Sequence, residues 1–445
     1  MRNKIIELLK RPGFEDHKFP VTRRELLQLG IISSAFVALR PLRAFADVAN
    51  SSPSPFRAPG ARNIPFLVFD LQGGAALPGN FLVGGAGGSQ DLLADYNSLG
   101  WDPRASDALD MTYGLPMSKQ RSKMLQGLNS AIPLEKRENF KFGSFLNFSL
   151  DDTSSNTLSA VNMIAKIHGG GSILQSGFGM EPSESGGNSR GIEVGGVPSP
   201  TYVNDFSAIE GLGRISGISG FSNDQMQLYF KQLAASDSKE YSQDVVSASR
   251  LLDTKRFDPR SNADLSRIYN LKNSNLLLEA AIVYNALIGN TGPSVIQTGD
   301  CDYHDKTGTT GDRKDLEIGG KIGRAVAAAA ALNSPLYIQV ITDGGVYAPD
   351  TGFERRWIGD SNQRSMSVVG LFDPQGPVKQ RRDQVGAYLK TGIIDQTTMV
   401  GASSQKMIYG VVANYLNLHN RMGEFADLIG NRGMSKAEIE SLLIF

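Results

Sequence analysis

Residues 294–305, SVIQTGDCDYHD, turn an apolar run into a cluster of chemistry-bearing side chains. Residues 315–345 then decide the fold. From Asp315 to Leu332 the chain is alanine-rich, with Ile318, Ile322, Ala325, Val326 and Ala329 at helical spacing, and Asn333, Ser334 and Pro335 stop it. A second apolar run, Leu336 to Thr342, ends in Asp343 and two glycines. The pattern predicts a strand, a helix and a strand. Such a unit is right-handed with parallel strands, so the residues after both strands leave from one edge of the sheet. Ligands of open α/β sheets bind at that carboxyl edge. Asp302, His304 and Asp343 are therefore expected to converge, and their oxygen and imidazole donors suit one divalent cation, Mg, Mn, Ca or Zn. Taken singly, Asp302 and Asp343 are better explained as loop starts or helix caps; it is the grouping that points to a site.

Upstream, IPFLVF at 64–69 predicts a buried strand that Asp70 ends. The loops LQGGAALPGN and FLVGGAGGSQ come next. Their glycines could cradle a phosphate, but GGAGGS lacks the spacing of a dinucleotide fingerprint, and tight turning accounts for them. Ser89, ahead of QDLLADY, is a candidate nucleophile at a helix start or that helix's N-cap. Cys301 is a candidate thiol nucleophile with His304 as base, or a small buried residue. Further helices are expected after YGLPM through Leu128, over Val161–Ile167 ending at His168, and over Asn223–Ala235, Tyr241–Leu252 and Ala263–Ile288. Beyond the central unit, Ser365–Phe372 predicts a strand, and Lys379–Leu389, Ser404–Leu416, Gly423–Ile429 and Lys436–Leu443 predict helices. The stretch 175–204 is rich in Gly, Ser and Pro and is expected to be a long surface loop. His419 falls in a polar turn, where solvation is expected.

At 445 residues the chain can bury a large core, and Lys plus Arg equals Asp plus Glu at 45 each, which offers no electrostatic case for nucleic acid. A single cysteine excludes an internal disulfide. TRRELLQ at 22–28, an apolar run from Leu29 to Leu39 and Ala44-Phe45-Ala46 form a twin-arginine export signal with a small-x-small cleavage site. Residues 1–46 are thus expected to direct export of the folded chain to the periplasm or cell surface, 47–63 to form a tether, and 64–445 a single α/β domain. No later segment has the apolar length of a membrane span.

The signal TRREL, the strand and loop FLVFDLQGG, the helix entry YGLPM, GDCDYHD and the strand end ITDGG together resemble the twin-arginine-exported family carrying domain of unknown function 1501, related to alkaline phosphatases and sulfatases. The resemblance spans most of the chain after the signal. It implies a mostly parallel sheet with helices on both faces, in an alkaline-phosphatase-like arrangement, and a metal site on the carboxyl edge. Asp70 resembles that superfamily's first-strand carboxylate, Asp302 and His304 its Asp-x-His segment, and Asp343 the acidic residue after a later strand. Three positions depart from the pattern. Gly344 stands where a His commonly follows the later acid, Ser155-Asn156 where Ser-His is frequent, and Gly359-Asp360-Ser361-Asn362-Gln363 where an Asp-His-Gly segment is usual. Cys301 also lacks the Pro or Ser and the Arg that follow a sulfatase nucleophile. Two zinc ions need several imidazoles, so the implied site reduces to one cation on Asp70, Asp302, His304 and Asp343. Two functions remain: an exported binding or assembly protein with a partner in the cell envelope, and a metal-dependent hydrolase of phosphate or related esters.

Overall fold

The computed structural model describes residues 64–104, 108–149, 158–167, 174–176, 201–211, 254–349, 355–430 and 434–445. The export signal, the tether, Ser155-Asn156, His168 and the helices expected over Asn223–Ala235 and Tyr241–Leu252 lie outside the described residues. Among the described residues no helix is long and apolar enough to cross a membrane.

The strands are β1 (Phe66–Leu71), β2 (Leu109–Asp110), β3 (Met117–Ser118), β4 (Phe140–Phe145), β5 (Leu174–Ser176), β6 (Thr201–Tyr202), β7 (Ser294–Thr298), β8 (Leu336–Thr342), β9 (Val346–Tyr347), β10 (Gly359–Asp360), β11 (Ser367–Phe372) and β12 (Gln384–Val385). Eight of them form one sheet in the order β12-β4-β11-β8-β1-β7-β5-β6. It is mixed and mostly parallel: β1 runs parallel to β7 and to β8, and among the described strands of this sheet only β11 opposes its neighbours, β8 and β4. Leu71 pairs with Thr298 on one side and Thr342 on the other, so the three central strands end level. The strand, helix and strand expected from the sequence stand as β7, the helix Thr309–Ala331 and β8. The helix begins earlier than its apolar spacing suggested, and Asn333 ends it in a left-handed conformation (φ 48°).

Alternation along β1 divides the core into two layers. Leu67, Phe69 and Leu71 face a cluster with Ile296, Ile338 and Val340, covered by the helices Lys123–Ala131, Ser274–Leu287 and Thr309–Ala331. Phe66 and Val68 face the other layer, with Val295, Tyr337 and the helices Ala160–Ile167 and Ser404–Leu418. Each such fully buried side chain contributes about 1.5–3 kcal/mol. The helices Lys123–Ala131 and Thr309–Ala331 meet backbone to backbone. A Cβ on Gly319 would lie 2.1 Å from the Met124 carbonyl oxygen, and one on Gly127 2.4 Å from that of Leu316.

Several expectations need correction. The stretch Ala263–Ile288 is two helices, Ala263–Ile268 and Ser274–Leu287, because Asn273 caps the second through the Asn275 and Leu276 amides. Lys379–Leu389 is not helical: Gln384–Val385 joins the sheet as β12, and Gly386 takes a left-handed φ of 87°. QDLLADY forms turns, not a helix. The two ends of the expected loop at 175–204 fall in strands, β5 between β7 and β6, and β6 at the sheet's edge.

His419 is not solvated in a turn but is a tie. Its Nε2 accepts the Ile64 amide at 3.0 Å, while Nδ1 donates to the Tyr415 carbonyl at 2.7 Å, and the Tyr415 hydroxyl donates to the Ile64 carbonyl at 2.8 Å. Only the neutral ring with its proton on Nδ1 satisfies both bonds. Burial pulls the imidazole below its ordinary value, more strongly than the Tyr415 carbonyl raises it. The unfolded chain therefore takes up the proton first, and stability is lost as pH falls through the ordinary histidine value of about 6.5. Urea unfolding at pH 7 and pH 5 is expected to show this loss in the native chain and a flatter dependence in His419→Gln.

Candidate metal centre

The level ends of β1, β7 and β8 release three loops onto one edge of the sheet. After β7, Asp300 (φ 56°) and Lys306 (φ 64°) bracket the loop in left-handed conformations, which are uncommon for residues other than glycine and cluster at functional sites. Between them stand Cys301, Asp302, Tyr303 and His304. After β8 the chain turns through Gly344 and Gly345 into β9, whose partner β10 pairs Asp360 with Val346.

The loop after β1 lies against both arms. The Cys301 amide donates to the Gln72 carbonyl at 3.0 Å and the Tyr303 amide to that of Gly74 at 3.3 Å. Thr342, the last residue of β8, donates its hydroxyl to the Gly73 carbonyl and accepts the Ala75 amide, both at 2.8 Å. A Cβ on Gly73 would come 2.8 Å from the Asp302 nitrogen, and one on Gly74 would lie 3.5 Å from Asp360 Oδ1. Glycine at 73 is thus required both by its φ of 102° and by this approach.

Asp302, His304 and Asp360 offer one donor atom each, all within 4.8 Å of one another. His304 Nε2 is 2.7 Å from Asp302 Oδ2 and 3.6 Å from Asp360 Oδ1. Ligands each about 2.1 Å from one ion stand about 3–4 Å apart, so this group could hold a divalent cation. Partial burial pulls the His304 imidazole down, but the Asp302 and Asp360 carboxylates more than offset it, leaving it above its ordinary value. A protonated ring donates to those carboxylates, and a cation would take the place of that proton.

No protein-family model, curated protein or solved structure matches the chain. Of the four ligands expected, Asp302 and His304 belong to the cluster, and Asp70 and Asp343 do not. Asp70 is fully buried one residue before the end of β1, accepting from the Gln72 carboxamide at 2.8 Å and more distantly from Gln297 at 3.4 Å. Its strand position puts it beside Gln297 and Ile341, on the face covered by Ala160–Ile167 and Ser404–Leu418. The strand's contribution to the site comes instead from the glycines beyond it. Asp343 is partly buried at the turn out of β8. The third carboxylate is Asp360, which the sequence offered only as part of the polar loop GDSNQ.

Neither candidate nucleophile is available to a substrate. Cys301 is fully buried with Sγ donating to the Thr298 carbonyl, and burial pushes its thiol up to about 12. The thiolate is the reactive form, and His304 engages Asp302 and Asp360 rather than the sulfur. We expect no release of thionitrobenzoate from Ellman's reagent by the native protein and stoichiometric release once denaturant unfolds it. Ser89 is fully buried and donates its hydroxyl to Asp383. The glycine loop beside it is closed by its own acids. Asp91 accepts the Gly87 amide at 3.2 Å, and a Cβ on Gly88 would lie 3.0 Å from Asp383 Oδ1. Two carboxylates and no helix start make this a poor phosphate cradle.

Proposed function

We propose that this is an exported cell-envelope protein of alkaline-phosphatase-like fold, holding one divalent cation in a reduced site and serving binding or assembly rather than catalysis. The observation that carries the proposal is the convergence of Asp302, His304 and Asp360 at the level ends of the central strands. Two carboxylates to one imidazole favour a hard or borderline cation such as Mg or Mn over a thiolate-seeking one. The export signal at 22–46 supports placement in the periplasm or at the surface, where the partner would be another envelope protein. The burial of Cys301 and Ser89 supports the non-catalytic assignment.

A metal-dependent hydrolase of phosphate or related esters is the second reading, favoured by one specific feature. Three partly exposed donors would leave coordination positions for water and an ester oxygen. In that case the cation, when bound, supplies Lewis-acid activation of water. Asp302 and Asp360 then hold charge against it, and His304 binds it with the nitrogen it otherwise shares with them.

The test is elemental analysis of the mature protein purified from an envelope fraction without chelator, then assay against nitrophenyl phosphate esters with excess Mn. Near-stoichiometric metal and no turnover above Mn alone is the expected result. Turnover lost in Asp360→Asn would favour the hydrolase. Absence of metal, with no uptake of added Mn, would contradict both.

A further inference from the structure

The two arms of the cation site come from distant parts of the chain. Beyond the site their backbones are joined by the Lys306 amide to the Trp357 carbonyl at 2.9 Å and the Trp357 amide to the Thr307 carbonyl at 3.3 Å, whereas the ligating side chains meet through His304 and Asp360, whose 3.6 Å separation is too long for a hydrogen bond. We infer that Asp315, in the second turn of the helix Thr309–Ala331, is a positioning residue that ties each arm to that helix and so sets the ligating side chains. The inference rests on the cation reading of the site.

Asp315 is fully buried, and each of its oxygens takes one arm. Oδ1 accepts the hydroxyl of Tyr303 at 2.9 Å, and Tyr303 is the residue between Asp302 and His304. Oδ2 accepts Arg355 Nη2 at 2.9 Å, and Arg355 begins the short run into β10 and Asp360. Arg355 is itself locked by donation to the Arg121 carbonyl and by Nη2 to Asn80 Oδ1 at 3.3 Å. Between Arg355 and Asp360, the Trp357 indole fills a slot lined by three glycines. A Cβ on Gly79, Gly100 or Gly311 would come within 2.9, 2.7 and 2.8 Å of the ring.

The helix is shaped to receive both arms. A Cβ on Gly311 would also meet the Tyr303 ring at 3.0 Å, and one on Gly308 would stand 2.2 Å from the Arg355 carbonyl oxygen. Charge-assisted bonds to a buried carboxylate are stronger than neutral ones and geometrically exacting. Partners outside the ligand set fix ligand orientation in metal sites, and their loss costs about 10–100-fold in metal affinity. Asp315 lies outside the ligand group, so its effect on the site passes through Tyr303 and Arg355.

The experiment compares the full-length protein with Asp315→Asn, Tyr303→Phe and Arg324→Met, by Mn titration and by hydrogen exchange of the metal-free protein. Arg324→Met destabilises the same helix away from the site and is the control for a general loss of stability. Expected are a drop of about 10–100-fold in Mn affinity for Asp315→Asn and Tyr303→Phe, and none for Arg324→Met. In metal-free protein, Asp315→Asn is expected to speed exchange in both 300–306 and 355–360, and Tyr303→Phe in 300–306 first. Equal Mn affinity in the native chain and Tyr303→Phe, or a loss matched by Arg324→Met, overturns the inference. So does unchanged exchange in either arm of Asp315→Asn. If the native chain takes up no Mn, the cation reading fails by itself, while the exchange pattern still decides whether one carboxylate holds both arms.

Discussion

Gly319→Ala is expected to destabilise the fold by about 2–3 kcal/mol, while the same change one residue on, Gly320→Ala, is expected to stabilise it by up to about 1 kcal/mol. Both glycines lie inside the helix Thr309–Ala331, and in both the added methyl brings the same gain in helix propensity. The difference is what the methyl meets. At Gly319 it meets backbone, the Met124 carbonyl oxygen at 2.1 Å, which can yield only if the helices part. At Gly320 the nearest atom is the Arg324 guanidinium at 3.4 Å, the flexible end of a side chain. Overpacking therefore wins at the first position and propensity at the second. Urea unfolding of the two variants checks the pair. Equal effects would mean that the helices do not cross in backbone contact.

Arg324→Met is expected to cost about 3–5 kcal/mol, the range for removing one partner of a buried ion pair. Arg324 makes a bidentate contact with Glu279, Nε to Oε1 and Nη2 to Oε2 at 3.0 Å each, and its guanidinium lies over the Tyr269 ring. Glu279 is buried, and burial holds its carboxyl above the ordinary value even with Arg324 opposing. A raised folded value means that the native state keeps the proton longer than the unfolded chain. Stability from this group is then lost as pH rises from the ordinary carboxylate value through the raised one. Without Arg324 the carboxyl rises further. The penalty in Arg324→Met is therefore expected to be larger at pH 7 than at pH 5, as read from unfolding midpoints at both. A smaller penalty at pH 7 would mean that Glu279 is not the group left unpaired.

Much of the central architecture was legible because it is written in periodicity. The continuous apolar run of β1, the helical spacing from Ile318 to Ala329 and the stop at Asn333-Ser334-Pro335 each follow from burial on a regular element. The handedness of the unit then placed Asp302 and His304 at the carboxyl edge without any structure. Periodicity fails where local chemistry or pairing overrides it. Asn273 divides an apolar stretch that reads as one helix. Gln384 and Val385 are drawn from an apparent helix into the sheet by β4, and QDLLADY stays in turns while Asp91 and its neighbours close the glycine loop.

The candidate site was half legible for a related reason. A parallel strand places its end at the edge but also decides which face each side chain takes. Asp70, one residue short of that end, points among the sheet's buried polar groups, so the strand reaches the site through Gly73 and Gly74. Asp360 was obscured because it arrives through a hairpin, β9 with β10, rather than at a strand end. Its one signal was an acidic residue in the polar loop GDSNQ. Asp315 looked like the first residue of a helix, and only the packing of Tyr303 and Arg355 against it reveals a different task.

The decisive measurement is calorimetric titration of Mn into metal-stripped native protein, Asp360→Asn and Asp343→Asn. A cation held by Asp302, His304 and Asp360 predicts one binding event in the native protein, its loss in Asp360→Asn and its retention in Asp343→Asn. Binding that survives in Asp360→Asn, or disappears in Asp343→Asn, would contradict that site.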